Sequence, residues 1–214
     1  MTDPQRALIA VLIDRSGSME AIKPDTEGGF NAFIGEQRKE SLDIRVTLAQ
    51  FDTEYDVVYA NRPVNDVPPL ELQPRGATAL YDAVGRLITD VGAELAALPD
   101  EERPARVTVV VLTDGHENSS LEWTHKAVGK AIRRQERDYA WDFVFLGANM
   151  DAVAIGQKLG FAPDRSMTYA ADGDGVAGAW ASTANYVARS YAAPAASRVE
   201  GFSDDDRAAA QGSR

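Results

Sequence analysis

Residues 7–13 read Ala-Leu-Ile-Ala-Val-Leu-Ile, seven apolar side chains without a polar interruption, and the run stops at Asp14. A strand with one wet face alternates apolar and polar residues, whereas an unbroken apolar strand is covered on both faces, as in a parallel sheet flanked by helices. A second strand, residues 106–113, has Val109 to Leu112 as its apolar run and stops at Asp114. Two buried strands that each end in a carboxylate point to an α/β fold with its chemistry at the strand ends.

The rest of the chain alternates in the same manner. Phe30, Phe33, Ile34 and Gln37 fall at helical spacing within residues 25–40, and residues 44–51 form the next strand. Residues 55–59 follow after only Asp52-Thr53-Glu54, too short for a parallel crossover, so this strand is expected to be antiparallel and to lie at the sheet edge. Residues 61–77 hold four of the ten prolines and read as a long surface loop. Leu80, Val84, Leu87, Ile88, Val91, Leu95 and Leu98 then mark a helix that Pro99 ends. Ser119 with Glu122 reads as the capping box of a helix running to Tyr139. Strands at 141–146 and 166–170 and helices at 151–159 and 174–191 complete the pattern.

The expected architecture is therefore a doubly wound, mainly parallel sheet with one antiparallel edge strand and helices on both faces. Residues 1–192 make one domain, and residues 193–214 form a tail that is disordered or a short docked helix. In that tail Ser203-Asp204-Asp205-Asp206 has the form of a capped first turn, with Phe202 placed to staple it down.

The first run ends Asp14-Arg15-Ser16-Gly17-Ser18, which puts one carboxylate and two hydroxyls at alternate positions on a single turn. Hard oxygens so gathered suit a cation such as Mg²⁺. Arg75-Gly76-Ala77-Thr78 offers a third hydroxyl just ahead of a helix, and Thr113-Asp114-Gly115 a second carboxylate. Taken singly, Asp-x-Ser-x-Ser is also an ordinary turn with local side-chain to backbone hydrogen bonds.

The three pieces in order resemble the metal-ion-dependent adhesion site of von Willebrand factor type A domains, of the stand-alone bacterial kind, over residues 7 to about 192. The resemblance implies that Ser16, Ser18 and Thr78 touch a divalent ion, Mg²⁺ or else Mn²⁺ or Ca²⁺. Asp14 and Asp114 bind it through water or directly. It also implies a protein partner that donates an Asp or Glu to the ion. Arg15 departs from the small or polar residue commonest at its position, which the motif leaves free. Around this site, Glu117 and Asn118 either contact bound water and partner or simply form a polar loop. Asp52 and Asn149 either support the ligands or serve as turn residues, and Asp151 reads as a helix cap.

Composition narrows the function. A net charge of −11 argues against nucleic acid, which is bound by clustered Lys and Arg. The basic set Lys126, Lys130, Arg133, Arg134 and Arg137 reads as a solvated helix face. Without cysteine there is neither a disulfide framework nor a thiolate metal site, and His116 and His125 lack partners at zinc-ligand spacing. Asp172-Gly173-Asp174-Gly175 lacks the later ligands of a calcium loop and reads as a turn and cap. The opening residues have no signal-peptide character and no apolar run reaches about 18 residues, so a cytoplasmic protein without membrane contact is expected. An enzyme is not expected: a phosphoryl-transfer aspartate typically needs a second acid two residues on, where Ser16 stands, and no phosphate-binding glycine loop occurs. The alternatives to a binding module are a Mg²⁺-dependent hydrolase and a scaffold whose site is filled by its own tail.

Overall fold

The computed structural model describes residues 2–194, 197 and 199–212. Its six strands lie in the order β3-β2-β1-β4-β5-β6. They are β1 (Asp3–Asp14), β2 (Asp43–Phe51), β3 (Tyr55–Pro63), β4 (Pro104–Thr113), β5 (Asp142–Ala148) and β6 (Ser166–Tyr169). All neighbours are parallel except β2 and β3, the antiparallel edge pair. The helices are α1 (Lys23–Gln37), α2 (Leu80–Ala97), α3 (His125–Tyr139), α4 (Ala152–Leu159), α5 (Gly173–Ala192) and α6 (Asp204–Ala209).

Side chains of β1 alternate between two cores, as its unbroken apolar sequence requires. Ile9, Val11 and Ile13 pack with Phe30, Phe33 and Trp180 of α1 and α5. Leu8, Ala10 and Leu12 pack with Leu87 and Val91 of α2, Ile132 of α3 and Phe143. The chain moves outward from β1 through β2 to β3, then crosses to β4 on the other side of β1. Strand order thus reverses between β1 and β4, and loops leaving their carboxyl ends diverge to open a crevice there. Asp14 and Asp114 both stand at that crevice, since Ile13 is level with Leu112 in the register.

Two expectations are corrected. Residues 61–77 are not simply a surface loop: β3 continues to Pro63, and Val64, Val67, Leu70 and Leu72 are buried in the α1 core. Side chains replace a ladder there, with Asn31 and Glu27 accepting from the backbone N–H groups of Leu70 and Leu72 at 2.9 and 2.8 Å. The Ser119–Glu122 capping box does not form; α3 begins at His125 and is capped by Thr124, which accepts from the Ala127 N–H. Competing acceptors explain this. Asp82 takes the N–H groups of Leu121, Glu122 and Trp123, holding residues 119–123 against α2, while Glu122 pairs with Arg86.

The basic residues of α3 are exposed, and Arg137 pairs with Asp138 of the same helix. Asp151 and Asp172 cap α4 and α5. Beyond α5, α6 carries a capping box of Ser203 with Asp206, and Phe202 is buried beside Tyr186. The segment lies along β6: Arg207 donates to Ser166 O at 2.8 Å, Gln211 to Thr168 O at 3.2 Å, and Ala170 N–H to Ala210 O at 2.8 Å.

Candidate metal site

Asp14 is the last residue of β1 and fully buried. Its Oδ1 accepts from the Ser16 N–H at 2.7 Å and its Oδ2 from the Thr113 hydroxyl at 2.6 Å. Burial pushes the Asp14 carboxyl up to about 6, against the two hydrogen bonds that favour its charged form, and the neighbouring Asp114 adds to the rise. The carboxyl of Asp114 is also raised by burial, opposed by the Ser18 hydrogen bond.

A chain of contacts joins the predicted residues. Ser16 Oγ and Ser18 Oγ lie 3.1 Å apart, and Ser18 donates to Asp114 Oδ1 at 2.8 Å. Thr78, 3% exposed, enters from the opposite side. Gly115 shows how near it comes: a Cβ there would lie 2.8 Å from Thr78 Oγ1 and 3.6 Å from Asp14 Oδ2. Any side chain at 115 would thus intrude between the third hydroxyl and the first carboxylate. All five residues, Asp14, Ser16, Ser18, Thr78 and Asp114, meet at one crevice.

The donor set is all oxygen, two carboxylates and three hydroxyls, which fits a hard divalent cation and not a site for a soft metal. Among the described residues no three His, Cys, Asp or Glu side chains gather as an alternative centre. With only two carboxylates present, water or an outside ligand has to complete an octahedron here.

The loop after β4 is tied to the Thr78 side by hydrogen bonds. Thr78 N–H donates to Asn118 Oδ1 at 2.9 Å, and Asn118 N–H returns a bond to Thr78 O at 3.0 Å. Glu117 accepts from the N–H groups of Tyr81, Ser119 and Ser120 and from the Ser120 hydroxyl. Both side chains are thus bonded within the crevice wall. Asn149 is a turn residue at φ 49°, its side chain accepting from the Ala171 N–H at 3.3 Å. Sequence reasoning gave Thr113 no role of its own, although a hydroxyl closing an otherwise apolar strand beside Asp114 was visible. It also missed Arg75, which donates to Asp52, and Asp56, which pairs with Arg15 next to it.

Comparison with known proteins bears on the fold. No protein-family model matches the chain, and no curated protein does. Among solved structures, proximal thread matrix protein 1 from the mussel byssus with a zinc-occupied metal-ion-dependent adhesion site aligns with a TM-score of 0.60 at 14% identity, covering 86% of this chain and 48% of that one. A von Willebrand factor type A protein from Catenulispora acidiphila aligns at 0.57 and 16% identity, covering 85% and 42%. This chain has the von Willebrand factor type A fold. The pilus adhesin SpaC from Lactobacillus rhamnosus GG shares it at a TM-score of 0.63 and 17% identity, with 86% of this chain and 30% of the adhesin covered. The chain thus spans less than half the length of these structures, and at such identities the type A likeness is one of fold.

Proposed function

We propose that this type A domain is a metal-dependent protein-binding module. In this reading Ser16, Ser18 and Thr78 hold a divalent ion, Mg²⁺ in the first instance and otherwise Mn²⁺ or Ca²⁺, with Asp14 and Asp114 contributing directly or through water. The observation that carries the reading is the meeting of three neutral hydroxyls and two carboxylates at the strand-order reversal. When bound, the ion supplies a Lewis-acidic centre for a carboxylate from outside. Hydroxyls bring no charge, so with Asp14 and Asp114 acting through water the ion keeps most of its charge, and an open position attracts a carboxylate from outside. The crevice residues have their own tasks. Asp14 is locked by Thr113 and the Ser16 N–H, Ser18 is aimed by Asp114, and Thr78 is held in place by Asn118. The partner is proposed to be a protein that presents an Asp or Glu.

The fold supports this reading, as does the mussel structure, whose adhesion site holds zinc. Calorimetry with Mg²⁺ and Mn²⁺ on the protein and on an Asp14→Ala, Asp114→Ala double variant tests the ion; equal binding by both would refute it. A pull-down in Mg²⁺, in chelator and with Thr78→Ala tests the partner. Loss of a charge-assisted contact at a desolvated interface costs about 2–5 kcal/mol, so Thr78→Ala should lower retention severely. The reading includes no turnover. Phosphatase, nucleotidase and esterase panels with Mg²⁺ check it, and activity abolished by Asp14→Ala would mean a catalytic metal instead. A cytoplasmic location belongs to the same proposal and is read by fractionation of the source cells; among the described residues no helix is long and apolar enough to cross a membrane.

A further inference from the structure

Three irregular segments meet beside the crevice. Arg15 follows Asp14 directly, Arg75 precedes Thr78 by three residues, and Asp52 follows β2. The Asp52 carboxylate is 1% exposed, and its Oδ2 accepts from Arg15 Nε at 2.9 Å and from Arg75 Nε at 2.8 Å. Its Oδ1 accepts from the Glu54 N–H at 2.7 Å. The outer ends of the two guanidiniums go to Asp56 at 2.5 Å and Glu54 at 2.7 Å. Backbone bonds follow the same path: Arg75 N–H to Arg15 O at 2.8 Å, Gly17 N–H to Gly76 O at 3.3 Å, and Ala79 N–H to Asp52 O at 2.9 Å.

We infer that Arg15, Asp52 and Arg75 form a clamp that sets, before any ion arrives, how closely the Ser16–Ser18 loop approaches the Thr78 loop. This rests on the metal-binding reading above and deepens it. Thr78 lies in no helix or strand, the Ser16–Ser18 side is only the start of a short 3-10 helix (Gly17–Ile22), and neutral hydroxyls are weak ligands singly. Their joint affinity therefore depends on being held at the right spacing beforehand. The clamp also solves an electrostatic problem. Two guanidiniums beside a divalent cation would repel it, but Asp52, Glu54 and Asp56 outnumber them and leave the cluster with a net negative charge. Asp52 is thus a positioning residue, acting through Arg15 and Arg75 rather than on the ion.

Mn²⁺ titration followed by the paramagnetic resonance of the free ion, with melting curves in chelator alongside, tests this. Asp52→Asn leaves two guanidiniums underpaired and is expected to weaken Mn²⁺ binding by about tenfold or more in protein that is still folded. Arg75→Lys keeps the charge but loses the fork that spans Asp52 and Glu54, and is expected to weaken binding by roughly threefold with little change in melting. Arg75 is half exposed, so this variant carries the test if Asp52→Asn does not fold. A merely structural role would lower the melting temperature and leave the metal affinity alone. Both variants binding within about twofold of the parent would overturn the clamp while the metal site stands. A parent protein that takes up no Mn²⁺ would overturn the metal-binding reading, and the clamp with it.

Discussion

Replacing Asp14 by Asn should make the metal-free protein more stable while removing its metal response. Asp14 is fully buried, and its carboxyl is raised from 3.8 to about 6. The folded protein therefore holds that proton more tightly than the unfolded chain. Below pH 3.8 the group is neutral in both states and costs nothing; the penalty grows between there and about pH 6 and is complete above. A rise of about two units corresponds to about 3 kcal/mol, at 1.36 kcal/mol per unit. Asn has the shape and no charge. Its Oδ1 can accept the Ser16 N–H, and its Nδ2 can donate to Thr113 Oγ1, whose proton then turns to Gly115 O at 3.1 Å. The raised value already includes the hydrogen bonds to the charged carboxylate, so about 3 kcal/mol is the full gain expected above about pH 6. Urea unfolding in chelator, at about pH 7.5 and about pH 4, reads the difference directly. The variant should be the more stable at the higher pH, and the gap should close at the lower. Addition of Mg²⁺ should raise the midpoint of the parent only. A variant less stable than its parent at neutral pH in chelator, or a gap independent of pH, would refute the reasoning.

Other outcomes follow from the same geometry. Chelation should leave the far-ultraviolet circular dichroism and the cooperative transition intact, because two apolar cores stand without an ion; saturating Mn²⁺ should then stabilise by about 2.7 kcal/mol at a hundredfold excess over Kd. Asn118→Ala leaves the Thr78 N–H without its acceptor, so stability should fall by about 1–3 kcal/mol and calorimetric Mg²⁺ affinity should drop with it. Gly178→Ala would set a Cβ 2.2 Å from Ala209 O, and should loosen residues 200–212, seen as faster amide exchange at Ala210 and a stability loss of about 1–3 kcal/mol. Unchanged exchange there would show that the segment is held without this contact.

The strands were legible because burial on two faces leaves an unmistakable trace: the apolar runs before Asp14 and Asp114 mark the carboxyl ends of β1 and β4, whose starts, at Asp3 and Pro104, include less buried residues and left no such trace. The antiparallel edge followed from a loop of three residues, and the geometry brings the motif's oxygens to one crevice. What stayed hidden depends on partners distant in sequence. Ser119 and Glu122 have the spacing of a helix start, yet Asp82, some forty residues away, competes successfully for the same N–H groups. Val64, Val67, Leu70 and Leu72 lie among prolines, and their burial depends on Asn31 and Glu27 of α1 accepting from a backbone that has no ladder. The bridging of Arg15 and Arg75 by Asp52 is likewise a meeting of three segments that no local pattern records.

The segment that lies along β6 bears on how the chain comes to be made. Ser166 O, Thr168 O and Ala170 N–H find their partners in Arg207, Gln211 and Ala210, so that side β6 faces no further strand and still leaves no open row of backbone groups. During synthesis those partners emerge about forty residues after Tyr169, roughly 2–8 s later at 5–20 residues per second. For that interval the nascent sheet carries a bare edge, and two chains growing side by side on one messenger present the same edge to each other. The yield of folded protein should therefore depend on how quickly ribosomes pass through codons 170–211, a stretch that contains none of the proposed metal ligands.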